Sequence, residues 1–187
     1  MCGRFYIADD DRLIDLIRRL NELEQAQVKT GEVRPGDTAL VFVKDKGIQP
    51  RAMKWGFPSQ NAGMLINARS ETASQKPMFS DAFRSGRIIV PATSYFEWDA
   101  SKRIHEFTVG DAGFYLAGLF RPQDKSFVIL TRSAAQGLKA IHDRMPVIFR
   151  RSSAKAWLDG TADPERVLSQ AECDSVKEIA GQMRLNL

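Results

Sequence analysis

The chain has 187 residues, 43% hydrophobic and 27% charged, as expected for one globular domain, so we predict that residues 1–187 form a single domain. No segment approaches the roughly 18 apolar residues of a membrane span. The N-terminus, MCGRFYIADDD, lacks the apolar core of a secretory signal, and Cys at position 2 excludes N-myristoylation. The net charge of +4, with 17 Arg among 27 basic residues, weakly favours a polyanionic partner, although solvent-exposed Arg explains the same count.

Apolar periodicity predicts a helix over residues 9–23, followed by mostly strands from Thr38 to about Thr131. A short helix is predicted over 77–84. Later helices are predicted after PVIF, with Ser152 or Ser153 as the N-cap, and over about 172–183. The predicted strands are ALVFV (39–43), AMKWGF (52–57), MLINA (64–68), RIIVPA (87–92), SYFEW (94–98), HEFTV (105–109), FYLAGLF (114–120) and SFVILT (126–131). This order predicts an α+β fold, a curved, mostly antiparallel sheet or open barrel with peripheral helices.

The two cysteines, Cys2 and Cys173, are too few for a disulfide framework and lack the spacing of metal ligands. We therefore expect reduced thiols, a cytoplasmic protein, and no metal or other cofactor. Removal of Met1 would leave Cys2 with a free α-amine, whose pKa is about 8 against about 10.4 for Lys. Such an aminothiol can condense with an aldehyde to a Schiff base and then close to a thiazolidine ring. A Cys placed here by accident is the alternative.

Two segments place polar side chains next to apolar strands. In INARSET (66–72), Asn67 can orient a nucleophile or substrate, and Arg69 can hold a phosphate. In VPATSYFEW (90–98), Glu97 lies in an aromatic run, where burial would raise its pKa and make it a general acid or base. The structural alternatives are that INARSET is an ordinary strand end and that Glu97 is an exposed strand residue.

A third segment, IHDRMPVIF, contains one of only two histidines. The side chain of His142 suits proton transfer near neutral pH, and Asp143 or Arg144 could tune its pKa or contact phosphate. A purely structural role for His142 is the alternative. The other histidine, His105, lies in a charged stretch and is predicted to be a surface strand residue.

The motifs MCGRF, WGF, INARSET, IIVPA, FEW, LAGLF, ILT and IHDRMPVI occur in this order over most of the chain. This combination resembles the SRAP family (SOS-response-associated peptidase-like proteins). The resemblance implies a β-rich fold with a basic groove for single-stranded DNA. It also implies the capture of abasic sites as a thiazolidine DNA–protein cross-link, which shields them during the DNA damage response. We further expect a monomer, since nothing in the sequence suggests more, and association with the nucleoid when it is bound to DNA.

The resemblance further implies a role for particular residues. It assigns the reactive centre to Cys2, Asn67, Glu97 and His142, and DNA contacts to Arg4, Trp55 and Arg69. We also expect a DNA contact from Arg144, on its position in the HDRMP segment. The chain departs from the family pattern over residues 29–42 and in a shortened loop over 57–63, which affect the predicted shape of the groove.

Two other functions fit part of the pattern. A thiol peptidase or autoprotease could use Cys2 as nucleophile and His142 as base. A non-covalent single-stranded DNA-binding module could use Arg4, Phe5, Trp55 and Arg69 for stacking and phosphate contact. An N-terminal nucleophile hydrolase that uses Cys2 is a close variant of the peptidase. The DNA-binding module predicts that Cys2 is dispensable, whereas covalent capture predicts that it is essential.

Overall fold

The computed structural model describes residues 2–8, 10–59, 63–110 and 113–179. The strands are β1 (Arg4–Ile7), β2 (Gly31–Val33), β3 (Thr38–Lys44), β4 (Ile48–Trp55), β5 (Phe57–Ser59), β6 (Gly63–Leu65), β7 (Asn67–Arg69), β8 (Arg87–Ala92), β9 (Ser94–Trp98), β10 (Ile104–Thr108), β11 (Phe114–Arg121), β12 (Ser126–Ser133), β13 (Arg144–Pro146), β14 (Ile148–Phe149) and β15 (Lys177–Glu178). The helices are α1 (Asp11–Glu24), α2 (Pro77–Ser85), α3 (Arg151–Asp159) and α4 (Pro164–Ser169). The predicted α+β class with peripheral helices is confirmed.

Two curved sheets form the body of the domain. One is a five-stranded antiparallel sheet in the order β15-β10-β9-β1-β2. In the other, β12, β4, β3, β8 and β11 pair successively, and β11 pairs again with β12, so these five strands close into a ring that we call the barrel. The short strand β7 also pairs in parallel with β12, at Ile129 to Thr131, just after the residues of β12 that pair with β4. The predicted curved sheet or open barrel is thus a ring in the structure, because β11 also pairs with β12.

The helix α1 begins directly after its N-cap residue, Asp10. Asp10 accepts hydrogen bonds from the backbone N–H groups of Arg12 and Leu13 at 3.0 and 3.2 Å, which satisfies two donors of the first turn. The buried face of α1, with Ile17 and Leu20, packs on barrel residues that include Leu40. The helix predicted over 9–23 is confirmed with small shifts at its ends. No helix in the described part of the chain has the length and apolarity to cross a bilayer.

The C-terminal region differs from the prediction. Residues 172–179 are not helical, and β15 pairs with β10 through Lys177 opposite Thr108. Residues 180–183 of the predicted helix lie outside the described residues. The spacing of Cys173, Val176 and Ile179 suits a helix, but an open sheet edge at β10 offers the segment a ladder of hydrogen bonds instead. The helix α4 was not predicted, although Asp163 followed by Pro164 is a start signal.

Candidate functional site

Cys2 lies directly before β1 and has no exposed surface. The strand β1 runs antiparallel to β9, with Arg4 opposite Phe96, so the start of the chain lies at the Glu97 end of β9. The Cys2 thiol contacts the carbonyl oxygen of Arg4 at 3.8 Å. Burial raises the pKa of this thiol far above its ordinary value, and the nearby Glu97 carboxylate raises it further. The thiol is therefore protonated at rest and must lose its proton as it reacts.

Asn67 holds the backbone of Cys2. Its side-chain Nδ2 donates a hydrogen bond to the Cys2 carbonyl oxygen at 2.8 Å. The position of Asn67 is fixed because β7 pairs with β12, where Asn67 lies opposite Ile129. The Oδ1 atom of Asn67 is buried and finds no hydrogen-bond donor among the residues that the structure describes. It is thus available to a donor supplied by a substrate or by an N-terminal amine on Cys2.

Glu97 is a buried acid on the same sheet, with 3% of its surface exposed. Burial raises the pKa of Glu97 to about 7, the N-terminal ammonium opposes this rise, and the negative charge of Asp143 adds to it. A carboxyl group with a pKa near neutrality exchanges protons in both directions, as a general acid and base must. The charge of Glu97 also acts on the Cys2 thiol, so the two side chains belong to the same electrostatic environment.

His142 follows a tight turn in which its backbone N–H donates to the Leu138 carbonyl at 3.1 Å. The Arg144 backbone N–H points at His142 Nδ1 at 3.0 Å, and Asp143 Oδ1 lies 3.0 Å from the same nitrogen. The first contact suits the neutral ring with its proton on Nε2, and the second suits the imidazolium. Burial lowers the pKa of His142, and the N-terminal ammonium lowers it further. The ring is therefore neutral near neutral pH.

The structure thus brings the four predicted residues to one place. Asn67 bonds to Cys2, and Glu97 acts on the Cys2 thiol. The charge of Asp143 acts on both Glu97 and His142, so these two side chains share one environment. The site therefore combines a thiol, an amide anchor, an acid with a neutral-range pKa and a neutral imidazole.

A cavity of about 530 Å³ adjoins this site and is lined by Arg69, Ser133, Lys139, Asp143 and Arg144. Arg69 is exposed at the end of β7, two residues after Asn67. Lys139 was not singled out from the sequence, although it stands three positions before His142, which is a usable signal. Two cationic side chains at the rim suit a phosphate chain that passes the reaction site.

The structure gives Arg144 internal partners. Its guanidinium makes two bonds to the Glu71 carboxylate, at 2.7 and 2.9 Å, and a third to the Thr131 carbonyl at 2.8 Å. The Arg144 side chain is only 11% exposed. Hydrogen bonds from Arg144 hold the pKa of Glu71 down at about 2. The expectation that Arg144 contacts DNA is therefore revised, because its guanidinium is already bound to the Glu71 carboxylate. This ion pair joins the NARSET segment to the HDRMP segment.

Trp55 also departs from expectation. Its indole is fully buried between Phe5 and Phe127, with ring centroids 5.2 and 6.3 Å away. Its Nε1 donates to the Ile66 carbonyl at 2.9 Å, directly before Asn67. The prediction that Trp55 lies beside DNA is wrong for this structure, because no ring face is open to a base. Trp55 instead fixes the segment that carries Asn67.

Arg4 lies on the outer face of the five-stranded sheet, over the Trp98 ring at 5.1 Å. Its Nη1 contacts the Glu32 carboxylate at 3.2 Å, and the side chain is 20% exposed. A DNA contact by Arg4 stays a prediction. Within the described ranges, no three His, Cys, Asp or Glu side chains converge as a metal site would require.

Comparison with known proteins gives a consistent picture. The model of the family described as SOS response associated peptidase (SRAP) matches residues 1–182. Abasic site processing protein YoaM of Bacillus subtilis is 32% identical over 188 residues, covering 85% of this chain and 79% of that protein. Abasic site processing protein YedK of Escherichia coli is 29% identical, covering 84% and 79%. A crystal structure of a Bacteroides thetaiotaomicron protein matches with a TM-score of 0.75 and 20% identity, covering 95% of this chain and 90% of that one.

Proposed function

Because the chain belongs to the SRAP family, and its relatives are named abasic site processing proteins, we propose that it processes abasic sites in DNA. We infer further that it binds single-stranded DNA and cross-links Cys2 covalently to the open-ring aldehyde of the abasic deoxyribose. The observation that carries the proposal is the construction of the site around Cys2. Asn67 fixes its carbonyl at 2.8 Å, and the charge of a buried acid with a pKa of about 7 acts on its thiol.

The chemistry requires Met1 to be removed, so that the α-amine belongs to Cys2. The amine adds to the C1′ aldehyde and forms a carbinolamine, which loses water to give an iminium ion. The Cys2 sulfur then attacks the iminium carbon, the C=N electron pair moves to nitrogen, and the thiol proton leaves. The product is a five-membered thiazolidine, and the whole reaction releases one water molecule.

The proton transfers divide between two side chains. An abasic sugar is mostly a closed hemiacetal, and ring opening removes the C1′ hydroxyl proton and places a proton on the ring oxygen. We assign both transfers to His142, whose neutral ring can accept the first proton and then donate it to the ring oxygen. Loss of the carbinolamine hydroxyl requires a second proton, which we assign to Glu97. The resulting Glu97 carboxylate can accept the thiol proton when the thiazolidine closes. Asn67 carries no ionisable proton and is assigned to positioning Cys2 or the sugar.

DNA binding is assigned to the cationic rim of the 530 Å³ cavity, with Arg69 and Lys139 as phosphate contacts. Phosphate neutralisation by such residues releases counterions, so affinity should fall as salt rises. An abasic strand passing this rim would bring its sugar to Cys2. Affinity that is the same at low and high salt would contradict a DNA ligand at this rim.

Intact-mass analysis after mixing the protein with an oligonucleotide carrying one abasic site tests the proposal. The expected adduct has the mass of the protein without Met1 plus that of the oligonucleotide, less one water. Cys2→Ala should give no stable adduct, although its free amine can still form a Schiff base that borohydride traps. An abasic oligonucleotide already reduced with borohydride is the matched substrate control. Stable adducts with Cys2→Ala, or with active protein that retains Met1, would contradict the mechanism.

The two alternatives give different results in the same experiment. A non-covalent DNA-binding module would bind the oligonucleotide without an adduct and would tolerate Cys2→Ala. A thiol peptidase needs a stabilised thiolate, whereas burial here raises the pKa of the Cys2 thiol. This observation favours a thiol that reacts with a bound electrophile over a peptidase nucleophile.

A further inference from the structure

The ring nitrogen Nδ1 of His142 faces two protein groups that favour different positions of the ring proton. The backbone N–H of Arg144 points at Nδ1 at 3.0 Å, and a carboxylate oxygen of Asp143 lies 3.0 Å from the same atom. An N–H donor suits an unprotonated Nδ1, whereas a carboxylate can only accept and suits a protonated Nδ1. The neutral ring carries one proton, so the two contacts specify different tautomers.

The backbone holds this segment on both sides of the pair. The His142 N–H donates to the Leu138 carbonyl at 3.1 Å, and the Ala134 N–H donates to the Asp143 carbonyl at 2.9 Å.

The Asp143 side chain is 83% exposed and lines the 530 Å³ cavity together with Arg69 and Lys139. Among the described residues, His142 is the only ion-pair partner of its carboxylate. Water weakens such an exposed pair in the free protein, and a strand bound in the cavity would strengthen the pair by excluding that water.

Opening of the abasic sugar by His142 requires one of the two tautomers. The C1′ hydroxyl must give its proton to a ring nitrogen, and Nδ1 is occupied by protein groups, so Nε2 must accept it. When Nδ1 accepts from the Arg144 N–H, the proton of the neutral ring is already on Nε2, which then cannot accept another. When Nδ1–H donates to Asp143, Nε2 keeps its electron pair, and the carboxylate stabilises the imidazolium that the transfer creates.

We propose that Asp143 is a positioning residue that holds the His142 proton on Nδ1, so that Nε2 can receive the C1′ hydroxyl proton and pass it to the ring oxygen. In this step the O–H electron pair becomes the second C1′–O bond, and the C1′–O4′ bond breaks towards O4′, which takes the proton from Nε2. The imidazole is neutral before and after the step. The inference rests on the proposed function and deepens it, because it places Asp143 in ring opening and not in the later attacks by amine and thiol.

Asp143→Asn keeps the shape of the side chain but offers Nδ1 an N–H donor, which favours the other tautomer. We expect it to slow the cross-linking of abasic single-stranded DNA about tenfold at saturating protein, the effect of one hydrogen bond to a charged group. Its DNA affinity should be unchanged or higher, since the cavity loses a negative charge beside Arg69 and Lys139. Asp81→Asn on α2, where the acid is 84% exposed, is the matched control and should behave as wild type.

A second substrate separates ring opening from the later steps. An oligonucleotide with an acyclic aliphatic aldehyde in place of the abasic sugar needs no ring opening, so Asp143→Asn should cross-link it at the wild-type rate. An equal loss of rate on both substrates would show a general structural effect and overturn the inference. A wild-type rate of Asp143→Asn on the abasic strand would overturn it as well.

The tautomer itself is measured by ¹⁵N NMR of protein labelled in its two histidines, His105 and His142. In the complex with abasic DNA already reduced with borohydride, the Nδ1 signal of His142 should be that of a protonated nitrogen in wild type and of an unprotonated nitrogen in Asp143→Asn. The same signal in both proteins would contradict the role of Asp143. If wild-type protein forms no adduct with either aldehyde, the proposed function fails instead, and the two failures are thereby distinguished.

Discussion

Replacing Glu97 with Gln should stabilise the folded protein at about pH 8 while it slows cross-linking. Glu97 is 3% exposed, and burial raises its pKa from the ordinary 4.5 to about 7. Between these two values the unfolded chain has released a proton that the folded chain still holds, so a rise in pH favours unfolding. The stability is fully present below the unfolded pKa and is lost as the pH rises through 7.

The magnitude follows from the shift. A difference of 4.5 to about 7 corresponds to about 3 kcal/mol of unfavourable free energy once both states are ionised. Gln has nearly the same shape and no charge to bury, so Glu97→Gln should gain about 3 kcal/mol at about pH 8 and almost nothing at about pH 4. As a positioned acid and base, Glu97 should contribute about 10²–10⁴-fold to the reaction, so the variant should cross-link correspondingly slowly.

Urea denaturation of wild type and Glu97→Gln at both pH values measures the stability effect. The exposed Glu22→Gln, on the outer face of α1, controls for the pH dependence of the rest of the chain. Single-turnover cross-linking of abasic single-stranded DNA at saturating protein measures the catalytic effect. If Glu97→Gln changes the free energy of unfolding equally at both pH values, the carboxyl is not held with a raised pKa, and its assignment as acid and base fails with it.

Asn67→Ala should slow cross-linking about tenfold at saturating protein with unchanged DNA affinity, because Cys2 loses one hydrogen bond; a wild-type rate would refute its positioning role. Arg69→Ala should weaken binding and lower the salt slope of single-stranded DNA affinity by about 0.7 in a fluorescence-anisotropy titration, and an unchanged slope would remove it from the phosphate contacts. Arg144→Gln should flatten the fall in stability from about pH 5 to about pH 3, since Glu71 loses the partner that lowers its pKa. Trp55→Ala should lower the free energy of unfolding by about 3–5 kcal/mol. If the variant instead loses more DNA affinity than stability, Trp55 is again a candidate for contact with DNA in the groove.

The sequence predicted most closely the elements that lie within short apolar or alternating runs. The alternating run at 94–98 is β9 without a change of bounds, and the apolar run at 87–92 is β8. At the ends of the chain the pattern was ambiguous. The spacing of apolar residues after position 172 fits a helix. The segment forms strand β15 instead because the edge of β10 is available for pairing.

The chemical residues were easier to predict than the DNA contacts. Glu97 in an aromatic run is buried because strand β9 lies between β1 and β10, and burial raises its pKa as expected. Whether a long basic or aromatic side chain is exposed or packs inside the protein depends on residues that are distant in the sequence. Arg144 is engaged by Glu71, 73 positions earlier in the chain, and Trp55 is enclosed by Phe5 and Phe127. Local sequence carries no information about such partners.

The site draws its parts from four distant positions, 2, 67, 97 and 142, which meet only when the barrel and the five-stranded sheet have both formed. A nascent or unfolded chain has the same amine and thiol but lacks the amide anchor and the neutral-range acid. Its aminothiol therefore has only the reactivity of a free cysteine towards the small aldehydes of the cell. On the proposed mechanism, complete folding acts as a safeguard, because the full reactivity of the N-terminus would appear only together with the rim proposed to bind DNA.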